Sequence, residues 1–362
     1  MKRNYGIDLL RIAAMCMVVI LHIVGFGGVL TNAKTLSANY EAALFLQIAT
    51  YCAVNCYALI SGYVGLNSKF HYTNIVILWL RVVFYTLLIT CTSMILIPDI
   101  RSFVFIKIAL SPVVNQQYWY FTSYFCLFFF TPLLNIAIKN MTKKQCNATI
   151  IALIVLFSII QTLYRDIFST ADGYSALWLG ILYFIGAYIK KYDICLNTKK
   201  AFLGYFSMVF LTWFAKLVAD LIYNYLGDNY SISFTALNNA NNLICYTSPT
   251  IILCSVFLLL CFKNMKFSDN INKLIAIFSP FAFTIYLVHV HPLFWQYVLD
   301  GKLTFLVNLP TVFMVISLFL ISISVFLLCS IIDYIRNVIF KTLKLKDFFL
   351  SLEQKYLPNI WN

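Results

Sequence analysis

Ten apolar stretches, most of them close to the length of a membrane-crossing helix, are the feature that most constrains this sequence. A helix needs about 20 residues to cross about 30 Å of hydrocarbon, whereas barrel strands show short alternating segments. The chain is 62% hydrophobic and only 11% charged, far below the charge of soluble domains. We therefore predict an all-α integral membrane protein with about ten transmembrane helices, at about 7–30, 42–66, 75–98, 118–138, 147–163, 175–190, 201–223, 242–262, 274–298 and 310–336.

The loops between these spans differ in charge. The set that contains both termini holds 18 Lys and Arg residues, whereas the opposite set holds 5, namely Lys34, Arg101, Lys107, Arg165 and Lys302. Cytoplasmic loops carry an excess of basic residues, so this asymmetry predicts that both termini are cytoplasmic. The net charge of +13 then reflects topology and contact with anionic lipid, and it does not indicate nucleic acid as a partner.

The chain is predicted to be one membrane domain with a short tail. Residues 1–336 form the transmembrane domain, and the basic segment 337–362, with interleaved Phe and Leu, is expected to lie on the inner membrane surface as an amphipathic helix. The eleven cysteines lie mostly inside apolar segments and are expected to be buried thiols. Cys52 and Cys56 have no accompanying His or Cys cluster, so no metal site is predicted.

The first span carries three ionisable residues in the stretch "DLLRIAAMCMVVILHI": Asp8, Arg11 and His22. Each such group in hydrocarbon costs about 2.5–3.5 kcal/mol on insertion scales, so it should have a compensating role. Arg11 and His22 are 11 residues apart, which places them within about 20° of one helix face and about 16 Å apart along the axis. Asp8 shares this face and can pair with Arg11 at the interface.

His22 is the strongest functional candidate of the three. It lies about 22 Å along the helix from Ile7, at or beyond the bilayer midplane. An ionisable residue at that depth is a functional hypothesis by default. The alternative is a neutral histidine that hydrogen-bonds between helices, and for Asp8 and Arg11 the alternative is an interfacial ion pair.

Further polar and aromatic residues have both structural and functional interpretations. Arg81 enters the third span from the cytoplasmic side, where it either extends to the headgroups or binds the phosphates of a nucleotide-bearing ligand. Tyr118, Trp119 and Tyr120 open the fourth span, either as an interfacial aromatic belt or as rings on which sugars stack.

Three other groups of residues have structural interpretations. Gly62, with its small neighbour Ser61, favours close helix packing. Lys216 and Asp220 are predicted to form an i,i+4 interfacial pair. His289 and His291 diverge by about 200° on a helix and cannot chelate one metal ion together.

The first span resembles the opening helix of acyltransferase family 3, membrane O-acyltransferases of bacterial surface glycans, whose signature is Arg, ten residues and His. Family-like segments follow in order along the chain: "NCYALISGYVGL", "QQYWYFTSYFCLFFFTPLLN", "LYFIGAYI" and "FTIYLVHVHPL". Many members carry a Glu in the fourth-helix motif, and the stretch from Tyr118 to Tyr124 has none. In this respect the chain is more similar to the subgroup that acts on exported polysaccharide.

This resemblance implies a function and a site. The chain is expected to be an O-acetyltransferase of the bacterial cell membrane that moves acetyl from cytoplasmic acetyl-CoA to a glycan or lipid-linked glycan hydroxyl, without a metal. His22 and Arg11 are the expected catalytic residues, and Arg11 and Arg81 the donor-binding residues. Tyr118, Trp119, Tyr120 and His289 are the expected acceptor contacts.

A transporter is the main alternative from another class. In a glycan exporter, Arg11 and His22 would line the permeation pathway or a proton relay. The sequence contains neither inverted repeats nor paired broken helices, which many transporters show. The acyltransferase interpretation is therefore preferred.

Overall fold

The computed structural model describes residues 3–164, 166–226 and 240–357, and within these ranges it is helical with no strand. Arg165 and the last residues of the predicted tail, 358–362, lie outside them. Helical segments occupy all ten predicted spans, which confirms the fold class: α1 Tyr5–Gly25, α2 Ala38–Gly65, α3 Tyr72–Leu96, α4 Trp119–Asn140, α5 Lys143–Tyr164, α6 Ala176–Lys191, α7 Thr198–Leu226, α8 Pro249–Lys263, α9 Asp269–His289 and α10 Thr311–Thr342.

Two of the ten segments are shorter than the rest. Within the described ranges, eight helices are long and apolar enough to cross a membrane. By contrast, α6 has 16 residues and α8 has 15, so each extends less than about 25 Å. Most residues of both helices are buried inside the protein, which indicates that longer neighbours, rather than lipid, surround them.

The first helix lies at the centre of the bundle. It contacts α2, α8, α9 and α10, and 61% of its membrane window is buried, against 28% for α3. Asp8 is buried among these helices, whereas the Arg11 side chain is 31% exposed. This placement satisfies the requirement that intramembrane charges find protein partners.

Two glycines let α2 and α6 approach closely, as expected from the small residues around Gly62. A Cβ atom added at Gly62 would lie 1.9 Å from the carbonyl oxygen of Tyr183, and one added at Gly186 would lie 2.0 Å from that of Leu59. Neither position can hold a side chain unless the backbones separate. The reciprocal contact fixes α6 against the second half of α2.

The tail forms a helix, α11 Leu345–Tyr356, after α10 has continued to Thr342. Glu353 of α11 accepts hydrogen bonds from the backbone N–H groups of Tyr72 and Thr73, at 3.0 and 2.8 Å, and so caps the first turn of α3. Burial raises the pKa of Glu353, but the hydrogen bonds from Thr73 and Tyr72 outweigh burial and lower it below the ordinary value. The tail's position on the membrane surface stays a prediction.

Gly186→Ala should destabilise the protein by about 1–3 kcal/mol, because the new methyl group meets a backbone carbonyl that cannot rotate away. Gly180→Ala is the matched control in the same helix, since its Cβ would lie 3.7 Å from the nearest side-chain atom, of Leu127. Thermal unfolding of the two purified variants in detergent measures the difference. Equal unfolding temperatures would show that the α2–α6 contact does not limit stability.

Candidate active site

Charged residues hold the end of α1 that the predicted topology places in the cytoplasm. The Asn4 side chain accepts from the N–H of Ile7 at 3.1 Å and caps the helix. The Asp8 carboxylate lies between Arg3 and Arg11, with N–O distances of 2.5 Å to both. The predicted Asp8–Arg11 pair is therefore present, and two guanidinium groups share one carboxylate, which leaves a net positive charge.

A cavity of about 230 Å³ opens beside Arg11. We call it the inner vestibule, and its polar lining includes Arg11, Ser61, Lys69, His71, Asn135 and Tyr183. Two basic side chains and no carboxylate line it among the described residues. Tyr183 donates to Asn135 at 2.9 Å, and Asn135 donates to the Gly65 carbonyl at 3.2 Å, so the polar wall is fixed. Such a lining suits an anionic, phosphate-bearing ligand.

His22 forms a hydrogen bond to His289, with 3.0 Å between His22 Nδ1 and His289 Nε2. His289 Nδ1 contacts the backbone carbonyl of Ile285, which can only accept. In a neutral His289, the proton is therefore on Nδ1 and Nε2 accepts from His22. This assignment leaves His22 Nε2 with its lone pair, as a general base or nucleophile requires.

A small cavity of about 40 Å³ adjoins His22. We call it the His22 cavity, and its lining is mostly apolar and aromatic: Met15, Val18, His22, Val54, Tyr57, Trp119, Tyr120, Tyr246, Phe283 and Tyr286. One water needs about 10–15 Å³ of such space, so the cavity admits only a few waters. A reacting thioester and hydroxyl would have to displace some of these side chains.

Tyr286 lines this cavity, and its hydroxyl can donate a hydrogen bond. It is buried and has no hydrogen-bond partner within the described part of the chain. It lies near the backbone N–H groups of Tyr120 and Phe121, in the first turn of α4. The partial positive charge at a helix N-terminus makes Tyr286 a better donor to a developing oxyanion.

Three tyrosines separate the inner vestibule from the His22 cavity. Tyr124 lines the vestibule, whereas Tyr57 and Tyr120 line the cavity. The ring of Tyr120 lies 6.3 Å from each of the other two rings, and the Tyr57 hydroxyl donates to the Arg11 carbonyl at 2.6 Å. The two spaces are therefore divided by a thin aromatic wall beside α1.

The structure separates the residues expected to contact the acceptor. Trp119 and Tyr120 line the His22 cavity. Tyr118 does not: it is fully buried and its hydroxyl donates to the Leu287 carbonyl at 2.8 Å. His289 contacts His22, as described, while His291 accepts from the N–H of Leu293 at 3.2 Å.

Arg81 is not brought to Arg11. Its guanidinium lies 3.2 Å from Asp333 and 3.4 Å from the Pro280 carbonyl, and it is not among the residues of the inner vestibule. Asp333 also pairs with Arg336 at 2.7 Å. The geometry therefore gives Arg81 a role in joining α3 to α10, and its donor-binding role stays a prediction without support from the vestibule.

Sequence reasoning missed three cavity tyrosines: Tyr57, Tyr246 and Tyr286. For Tyr286 a signal was present, because it precedes His289 by three residues and so lies on the same helix face. Tyr57 of α2 and Tyr246 of the segment before α8 line the cavity because of tertiary packing, which no local sequence pattern encodes.

Comparison with known families gives one match. A family model described as an acyltransferase domain, acyltransferase family 3, matches residues 4–332. Neither a curated protein nor a solved structure matches the chain.

Proposed function

Since the chain belongs to acyltransferase family 3, we propose that it transfers an acetyl group from cytoplasmic acetyl-CoA to a hydroxyl of a cell-surface or exported polysaccharide. Membership makes the chain a multi-pass membrane acyltransferase. The acetyl group, the donor, the acceptor and the bacterial cytoplasmic membrane belong to the proposal. The observation that carries it is the His22–His289 hydrogen bond, which assigns a free lone pair to His22 Nε2, in a cavity one aromatic layer away from a basic vestibule.

The inner vestibule supports the donor side of this proposal. Acetyl-CoA carries several phosphates and cannot cross lipid, so it must be bound from the aqueous face where it is made. Arg11 and Lys69 offer two cations there, and phosphate oxygens accept hydrogen bonds from such groups. Arg11 and His22 are about 16 Å apart along α1, a distance that the long pantetheine arm of CoA has to bridge past Tyr120 and Tyr124.

At His22 the proposed reaction is direct transfer with general-base catalysis. The acceptor hydroxyl gives its proton to His22 Nε2 as its oxygen bonds to the thioester carbonyl carbon. The carbon–sulfur bond then breaks, and the departing CoA sulfur takes the proton from the imidazolium. His289 acts as a positioning residue, because its Nε2 accepts from His22 Nδ1 in both protonation states.

Tyr286 is proposed to stabilise the tetrahedral intermediate. Its unpaired hydroxyl can donate to the carbonyl oxygen as negative charge develops there. Removal of one oxyanion donor costs about 10²–10³ in kcat in other acyl-transfer enzymes. Tyr286 therefore complements His22, one group moving the proton and the other stabilising charge.

Arg11→Gln should weaken acetyl-CoA binding by about 1.5–3 kcal/mol, the value of a hydrogen bond to a charged group. Lys144→Gln removes an exposed basic residue that does not line the vestibule and serves as the matched control. Calorimetric titration of the purified proteins in lipid nanodiscs with CoA measures both. If the two variants bind CoA equally well, the vestibule is not the donor site.

His22→Gln should abolish acetyl transfer while leaving CoA affinity unchanged, because the general base is lost but the vestibule is intact. Loss of a positioned base lowers rates by about 10²–10⁴. Tyr286→Phe should lower kcat by about 10²–10³, without a change in donor KM. The readout is transfer of labelled acetyl to polysaccharide in membrane vesicles.

His291→Gln is the matched histidine control, since His291 does not line the His22 cavity. Near-normal activity of His22→Gln would contradict the proposed chemistry. Labelled acetyl retained on wild-type protein in the absence of acceptor would instead indicate a covalent histidine relay.

A further inference from the structure

A second large cavity, about 460 Å³ in volume, opens at the end of α1 opposite Arg11. We call it the outer pocket, and its polar and aromatic lining includes Thr35, Tyr40, Gln47, Tyr51, Lys216 and Asn241. These residues come from the segment after α1, from the first half of α2, from α7 and from the segment before α8. The pocket has more than ten times the volume of the His22 cavity, so it can hold a ligand that the cavity cannot.

The charged wall of the outer pocket is buried in the protein. Lys216 and Asp220 form the expected i,i+4 pair, but their side chains are only 9% and 4% exposed. The Tyr40 hydroxyl donates to the other carboxylate oxygen of Asp220 at 2.9 Å. Buried charges inside a membrane protein are costly, and they often mark a functional site. Lys216 is not sealed inside the protein with its partner, because it also lines the pocket.

Lys216 is the one charged residue among the described residues that line the pocket, and the carboxylates of Asp220 and Glu41 lie close to it outside the lining. Glu41 accepts from Trp213 Nε1 at 3.0 Å through one oxygen, and its other oxygen is buried without a hydrogen-bond partner among the described residues. The carboxylate of Asp220 offsets the charge of Lys216, so the described lining offers no unpaired cation to an anionic ligand. The amide and hydroxyl groups of the lining suit a neutral ligand rich in hydroxyl groups.

The outer pocket adjoins the His22 cavity through two tyrosines. Tyr51 lines the pocket and Tyr246 lines the cavity, and their ring centroids are 4.8 Å apart. Tyr246 in turn lies 5.7 Å from Trp119, which also lines the cavity. A sugar bound in the pocket would thus meet an aromatic surface on the side that leads to His22.

We infer that the outer pocket binds a neutral, hydroxyl-rich sugar residue of the acceptor, with Gln47 and the Asp220-paired Lys216 as hydrogen-bonding groups and Tyr51 as the stacking surface. The acceptor hydroxyl then enters the His22 cavity by displacing the Tyr51–Tyr246 contact. This assignment rests on the proposed function only for its link to acetyl transfer. Sugar binding itself can be measured without any donor.

The test measures glycan binding and acetyl transfer separately. The probe is a neutral oligosaccharide released from the de-O-acetylated surface polysaccharide of the source cell, titrated into purified protein without acetyl-CoA and followed by calorimetry. Gln47→Ala should weaken binding about three- to tenfold, as expected for one lost hydrogen bond. Asn308→Ala, which removes an exposed amide that does not line the pocket, should have no effect.

A second variant protects the test against misfolding. The double substitution Lys216→Met with Asp220→Leu removes both charges together, which folded proteins tolerate better than the loss of one partner. It should abolish measurable binding while CoA affinity is retained. Retained CoA affinity is also the evidence that this variant is folded.

The outcomes distinguish the pocket from the function. If wild type transfers acetyl but both pocket variants bind the oligosaccharide as wild type does, the pocket assignment is wrong and the proposed function stands. If the variants lose binding but wild type transfers no acetyl, the pocket is a glycan site and the proposed function is wrong. Tighter binding of a carboxylated oligosaccharide than of a neutral one would contradict the charge argument.

Discussion

The need to keep the polar side chains of α1 away from lipid is the constraint on which the rest of the structure depends. Asp8, Arg11 and His22 share one helix, and each is matched by a protein partner: Arg3 and Arg11 for Asp8, and His289 for His22. Those partners come from the N-terminal segment and from α9, so α1 has to be enclosed. Its central position brings a basic vestibule and a small, mostly apolar cavity to two points on the same helix.

The His22–His289 hydrogen bond determines which nitrogen of His22 can accept a proton. Because the Ile285 carbonyl fixes the proton of His289, the free lone pair is assigned to His22 Nε2. Burial among aromatic rings excludes most water from that nitrogen, which in the proposed reaction would favour acyl transfer over hydrolysis of the thioester. In that proposal, one helix joins donor binding at Arg11 to a base at His22.

Sequence alone reached the fold class, the positions of the ten helical segments and the stripe on α1. Length, hydropathy and helical periodicity are local properties, so these features can be predicted from neighbouring residues. The partner of Arg81 could not be predicted in this way, because Asp333 lies 252 residues further along the chain. Periodicity also could not tell that Tyr118 turns away from the cavity while Trp119 and Tyr120 line it, because Tyr118 precedes the first residue of α4 and has an extended backbone.

The central claim is that His22 joins a donor on one face of the membrane to an acceptor on the other. The most direct measurement uses sealed vesicles of known orientation, with acetyl-CoA and de-O-acetylated polysaccharide supplied separately to either side. The account predicts acetylated polysaccharide only when the donor is on the face that bears the inner vestibule and the acceptor is on the opposite face. Acetylation that requires both substrates on the vestibule face, or glycan export without any acetyl transfer, would contradict it.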